Sequence, residues 1–181
     1  MCALRARALG GYDAPRMASP PSVDKPALIA ALVTALRAEL AQADRSAREA
    51  AEAANHPEAR PENDKDTRKI ELSYLAAGQA ARARELEAAI ALVQALPVGT
   101  REPAAPVVAG AVVTLDVAGK AQRVIVSPAG GGLKLEAPGG PISVVTPQSP
   151  LGSALLGKSS GESFELVVAG RKSEVEIVSV E

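Results

Sequence analysis

The sequence predicts an α+β protein: a long antiparallel helical hairpin, read as a coiled coil, followed by a small domain dominated by antiparallel sheet. Three observations carry this expectation. Residues 25–54 hold an unbroken heptad of apolar positions. A second helical stretch follows a loop that contains two prolines. Beyond residue 106 the pattern changes to short runs of β-favouring residues cut by glycines.

The heptad is explicit. Ile29, Leu36, Ala43 and Ala50 lie seven apart, and Val33, Leu40, Ala47 and Ala54 repeat the spacing four residues later. Asp24 serves as N-cap, with Pro26 in the first turn. Large side chains fill the first half of the seam and alanines the second. Alanine lets helices approach closely, so the hairpin is expected to be stout at its base and slender at its far end. The first helix ends near Asn55, His56 and Pro57, where a cation on His56 favours the helix C-terminus. The tip loop spans 55–66, where Pro57 and Pro61 bar helix continuation. The second helix runs from about 66 to 96 and stops at Pro97 and Gly99. Its apolar members include Ile70, Leu72, Leu75, Leu86, Ala89, Ile90, Val93 and Leu96, interrupted by Gln79 and Arg82. Tyr74 and Leu75 read as packing residues.

Residues 98–106 form a Pro/Gly-bearing linker, and 107–181 the second domain. Strands are expected at 112–117, 122–126, 133–136, 142–145, 163–168 and 174–180, with one short helix at 149–156. Residues 1–24 hold Arg5, Arg7 and Arg16 and lack the apolar core of a secretory signal. They read either as a disordered leader or as an upstream start, with Met17 the true one; both are consistent with a cytoplasmic protein.

Composition excludes several function classes. The 181 residues carry 20 basic and 21 acidic side chains, a net charge of -1, which is unlike a polybasic nucleic-acid binder. One cysteine and one histidine exclude a disulfide framework and Cys- or multi-His metal centres. Without tryptophan and with three other aromatics, there are few platforms for stacking bases. No uninterrupted apolar run approaches the roughly 18 residues of a membrane span.

The run from Gly152 to Ser159 fits the letters of a P-loop, GxxxxGK[ST]. A P-loop follows a buried strand and opens a helix. Here the helix precedes Gly157 and a strand follows. The expected reading is a helix C-cap, with Gly157 left-handed and Lys158 near the negative end of the dipole.

The stretch 142–158, Ile-Ser-Val-Val-Thr-Pro-Gln-Ser-Pro-Leu-Gly-Ser-Ala-Leu-Leu-Gly-Lys, resembles the C-terminal signature of the Gre (GreA/GreB) family of bacterial transcription elongation factors. Residues 162–168 and 174–180 resemble its closing strands, and 107–115 its opening strand. Glu62 and Asn63, followed by Asp66, Thr67 and Arg68, are similar to the hairpin tip of a divergent Gre-like subgroup. The resemblance covers residues 25–181.

The resemblance implies an FKBP-like C-terminal fold that docks on RNA polymerase, with a hairpin that enters its secondary channel. It places docking at Leu151, Gly152, Ala154, Leu155, Gly157 and Lys158. At the tip, family carboxylates help hold an Mg2+ shared with the polymerase, and backtracked RNA is cut. Glu62 falls on the family's Glu and Asn63 on its Asn. Ala59 falls on its Asp, and Glu58 on its Gly. The carboxylates available are Glu58, Glu62, Asp64 and Asp66, with Glu62 and Asp64 the metal-holding pair. The implied protein is an accessory factor and not itself an enzyme. It has no cofactor of its own, is monomeric, touches nascent RNA only indirectly and has no membrane partner. Inhibition or retuning of polymerase is the alternative to cleavage. A different class, an FKBP-like interaction or chaperone module, also stands; prolyl isomerase activity is disfavoured because Phe164 is the sole aromatic after Tyr74. Nucleotide binding is remote.

Overall fold

A computed structural model describes residues 23–56, 67–99, 102, 105–168 and 170–181. Helix α1 (Lys25–Asn55) and helix α2 (Arg68–Gln94) pack side by side. Helix α1 begins as its sequence directs. Asp24 Oδ1 accepts from the Ala27 amide at 3.0 Å, and a proline occupies the first turn, where its missing N–H costs nothing. His56 is its C-cap residue. At 1.5 Å per residue, α1 is roughly 46 Å long.

All four members of the first heptad row, Ile29, Leu36, Ala43 and Ala50, are buried. Large side chains at the base give way to alanine, and Ala83 of α2 is buried in the same core. Leu28 and Leu32 are also buried, although the heptad does not include them. They belong to the cluster that holds Val112, Ile125, Leu135, Ile142 and Val144 of the sheet. The base of α1 is therefore apolar on two faces, one toward α2 and one toward the sheet. Lys25 Nζ donates to the Gly99 carbonyl at 3.2 Å, tying the first turn of α1 to the segment after α2.

By length and composition α1 could cross a membrane, although it contains no unbroken apolar run of that length. Its large apolar side chains are buried against α2 and the sheet, as in the core helix of a packed domain.

In α2 the register differs from the sequence expectation. Leu72, Ala76, Gln79, Ala83, Leu86, Ile90 and Val93, buried or half-buried, form the seam at an alternating spacing of four and three, with Ala80, Ala81 and Ala89 half-buried beside it. Gln79 is thus a member of the seam and not an interruption. Ile70, Tyr74 and Leu75 are off the seam, with 55, 75 and 51 % of their surface exposed, so Tyr74 and Leu75 are not packing residues. Arg82 lies outside the seam and binds Glu39 of α1 and Glu85 of α2, both at 3.5 Å.

The second domain is a six-stranded sheet ordered β3-β4-β2-β1-β6-β5. The strands are β1 (Val112–Val117), β2 (Lys120–Val126), β3 (Lys134–Leu135), β4 (Ile142–Val145), β5 (Ser163–Val168) and β6 (Arg171–Val180). A short helix, α3 (Pro150–Leu155), lies between β4 and β5. Four neighbouring pairs are antiparallel, whereas β2 and β4 pair in parallel. The sheet is therefore mixed. Parallel neighbours need a long connection, and residues 127–141, which include β3, supply it.

Alternation along the strands gives the sheet two apolar faces. Val112 and Ile125 face the hairpin base, whereas Val113, Leu115, Val124, Val126, Val175 and Ile177 face a second core closed by Leu155 of α3. The hairpin base, the sheet and α3 form three layers, with the sheet in the middle.

Candidate functional site

The sequence singles out two regions as candidates for function: the α3 corner and the far end of the hairpin. At the corner, Ser149 caps α3. Its hydroxyl accepts from the Gly152 amide at 3.1 Å and donates to the Thr146 carbonyl at 2.7 Å. This binds the helix back onto the strand end that precedes it. Gly152 faces that strand end so closely that a Cβ would overlap the Thr146 carbonyl oxygen. Leu155 is fully buried in the second core. Leu151 and Ala154 are half-buried, Gly157 is exposed and Lys158 is half-buried. Leu156, outside the set expected for docking, is exposed. So of the six docking residues expected from the sequence, Gly152 and Leu155 shape the corner from within. Gly157 and Lys158 present themselves at its surface.

The P-loop reading receives no support from this geometry. Helix α3 precedes Gly157, which has a left-handed φ of 78°, and no helix follows before β5. Lys158 Nζ pairs with Glu162 at 3.3 Å and lies 5.7 Å from the centre of the Phe164 ring. The Glu162 carboxylate also accepts from the Ser159 amide at 2.7 Å. That backbone bond first, and the Lys158 ammonium second, hold its pKa below the ordinary 4.5.

A lowered folded-state pKa fixes the sign of the pH effect. The stabilisation is present above the unfolded value and is lost as pH falls through the folded one. In a carbon-detected NMR titration, Glu162 should therefore show a midpoint below 4.5. Lys158→Met should raise that midpoint only part of the way, because the Ser159 amide remains.

At the far end, the expected metal-positioning acids Glu58, Glu62, Asp64 and Asp66 lie outside the described residues. What is described is where they attach. His56 closes α1, and Thr67 opens α2 with its hydroxyl donating to Glu71 at 2.6 Å. The chain segment carrying the four acids thus joins the two helices at the end away from the sheet. Among the described residues, no group of three or more His, Cys, Asp or Glu side chains is placed to hold a metal ion.

Sequence reasoning missed the outward surface of α2 at Ile70 and Tyr74. The signal was present: counting sevens back from Leu86 and Val93 through Gln79 gives Leu72. Ile70 and Tyr74 then fall about 200° away from that position. Beside Arg82, a cleft of about 450 Å³ opens between the hairpin base and the Gly130–Gly132 loop, floored by Leu36 and Leu86.

A two-helix hairpin packed at its base on a small mixed-sheet domain is the architecture that the described residues define. Residues 103–181 match the family described as "Transcription elongation factor, GreA/GreB, C-term". The C-terminal domain is accordingly of the GreA/GreB type. Similar solved structures include GreA factor homolog 1 (Gfh1) of Thermus thermophilus, 22 % identical, covering 82 % of this chain and 94 % of that one, with a TM-score of 0.36. Gfh1 of Thermus aquaticus is 24 % identical and covers 84 and 95 %, with a TM-score of 0.37. A GreA/GreB elongation factor from Nitrosomonas europaea is 21 % identical and covers 61 and 91 %, with a TM-score of 0.33. No curated protein matches the sequence.

Proposed function

We propose that this chain is an accessory factor of bacterial RNA polymerase that docks through its C-terminal domain and inserts its hairpin into the secondary channel. There it stimulates the polymerase to cut backtracked RNA. The observation that carries the reading is the combination of a GreA/GreB C-terminal domain with an arm whose far connection holds four carboxylates. An arm of roughly 46 Å suits delivery of a tip into a deep tunnel.

The donor set fits the ion assigned to it. Mg2+ prefers hard oxygen ligands and is usually held by one or two carboxylates, and Glu62 and Asp64 supply two within three residues. When bound, such an ion supplies an activated water for hydrolysis. Glu58 and Asp66 flank the pair and add negative charge that favours a cation. The protein brings no cofactor of its own and acts as a monomer in the cytoplasm.

One feature favours a second reading. Ala59 stands where the resemblance calls for the tip Asp, and Glu58 where it calls for Gly. A tip that holds the ion without its usual partner would block the site, and the protein would then restrain polymerase without cleavage.

Stalled, backtracked elongation complexes with labelled RNA separate the two. Shortened RNA with the native protein, absent with Glu62→Ala, is the expected result. A slowed polymerase with intact RNA would establish the restraining role. No effect on cleavage, rate or binding of another channel factor would remove the polymerase reading altogether.

A further inference from the structure

The hairpin base covers only part of the sheet face on which it packs. Val112, Ile125 and Val144 lie in the shared core. The next row along the strands is Ser179, Thr114 and Arg123, and the row beyond is Glu176, Asp116 and Ala121. Asp116 thus stands directly opposite Glu176, and on the same face Glu174 stands opposite Glu165. Like charges set opposite each other across a ladder are destabilising. Lys172 pairs with Glu165 at 2.9 Å. Among the described residues, no ion pair reaches Asp116, Glu174 or Glu176. These three acids line a groove of about 270 Å³ with Ser163, Ala118 and Gly119.

The row between the groove and the shared core supplies an independent observation. Arg123 is only 7 % exposed. Its Nη2 donates to the Gly140 carbonyl, whereas its Nη1 is buried without a partner. Ser179 Oγ is also buried without a partner. A buried charged donor left unmatched is costly, so this row calls for an acceptor as the groove calls for cations.

A second copy would set the same acids against one another, and nucleic acid would bring phosphates to them. The segment before Val23 has the complementary charge. Residues 1–22 hold Arg5, Arg7 and Arg16, and Asp13 is their only acid. The segment also joins the described chain at the right place. The Val23 amide donates to the Glu181 carboxylate at 3.2 Å, and Glu181 pairs with Val112. From Val112 to Asp116 is roughly 13 Å along the strand. Arg16, seven residues before Val23, can reach about 23 Å. Asp13 and Arg16 can span up to roughly 10 Å, enough for the diagonal of roughly 8 Å between Arg123 and Asp116.

We propose that segment 1–22 docks on this sheet face beside the hairpin base, with its arginines at Asp116, Glu174 and Glu176 and Asp13 at Arg123. The contact latches the start of α1 to the sheet and offsets the like-charged pairs. It is independent of the function proposed above.

Cys2 is the only cysteine of the chain, so a nitroxide attached there reports where the segment lies. In amide NMR spectra of the full chain at low salt, the signals of Ala121, Glu174 and Glu176 should lose at least about half their intensity, because a tethered segment acts at millimolar effective concentration. Arg5→Ser, Arg7→Ser and Arg16→Ser together should restore them. So should about 1 M salt, which screens charges beyond roughly 3 Å. Glu174→Gln with Glu176→Gln should restore the Ala121 signal while circular dichroism stays unchanged, since both side chains are exposed. Full intensity in the native chain would overturn the proposal. Attenuation that survives the triple arginine variant would also overturn it. So would attenuation at Ile70 and Tyr74 instead, which would mean that Leu4, Leu9, Tyr12 and Met17 direct the segment to the apolar surface of α2. Attenuation of unlabelled copies mixed with labelled ones would show a contact between chains and overturn the assignment to one chain.

Discussion

Gly152→Ala should cost the protein about 3 kcal/mol or more, a drop in Tm of roughly 6–12 °C for a chain of this size. The argument is steric. A Cβ at this position would overlap the Thr146 carbonyl oxygen and would also meet the Thr146 carbonyl carbon at 2.8 Å and the Ser149 hydroxyl at 3.0 Å. A side chain in the way could rotate aside, but a backbone carbonyl cannot. Relief requires α3 to lift from the strand end, and lifting it breaks the Ser149 cap and draws Leu155 out of the core. Denaturant unfolding of the two proteins measures the difference. A loss under 1 kcal/mol would show that α3 is seated more loosely than described. Polymerase binding lost in this variant would therefore report a displaced corner, and Lys158 is the better residue with which to probe a contact.

Leu32→Ala should be the most damaging single truncation in the hairpin, at about 3–4 kcal/mol. Leu32 is fully buried where α1, α2 and the sheet converge. Its Cδ1 would lie 2.6 Å from a Cβ on Gly130, so it occupies the space that the missing side chain leaves. The reciprocal change, Gly130→Ala, should also destabilise, through that overlap and through its left-handed φ of 77°. The two changes should not add. Removing Cδ1 makes room for the new methyl group, so the double variant should be more stable than the sum of the single losses by about 1 kcal/mol. The backbone strain at residue 130 remains in both backgrounds. Strict additivity in a denaturation cycle would mean that Leu32 and Gly130 do not share this space.

The first helix was legible because its periodicity is strong, and every member of the Ile29 row is buried. Leu28 and Leu32 were not, because their burial is set by the sheet, and a heptad records only the partner helix. The second helix was misread for a local reason. Alanines blur its stripe, and a glutamine sits on the seam while an isoleucine, a tyrosine and a leucine sit off it. Hydrophobicity alone then points to the wrong face.

Among the strands, β6 begins at Arg171, earlier than its valine-rich pattern suggests, because pairing with β5 holds polar residues in the ladder. The parallel β2–β4 pair was hidden for a similar reason, since alternation states which face a residue takes but not which neighbour its strand will have. The α3 corner was legible as a motif, though not in its division between residues that shape it and residues that show at the surface. The acids were legible as chemistry. Their positions depend on a segment outside the described residues.

The sheet order has a consequence in time. Strand β1 is hydrogen-bonded on one side to β2, its neighbour in sequence, and on the other to β6, which the ribosome delivers last among the described elements. The two helices are consecutive in the chain and can pair while the rest is still being synthesised. The sheet cannot close until Val180 reaches Val113. Through that interval Val113, Leu115, Val124 and Val126 lack their partners Val175, Ile177 and Val180 in the second core. The newborn chain is at its stickiest on that face of the sheet, and the arrival of β6 ends the exposure.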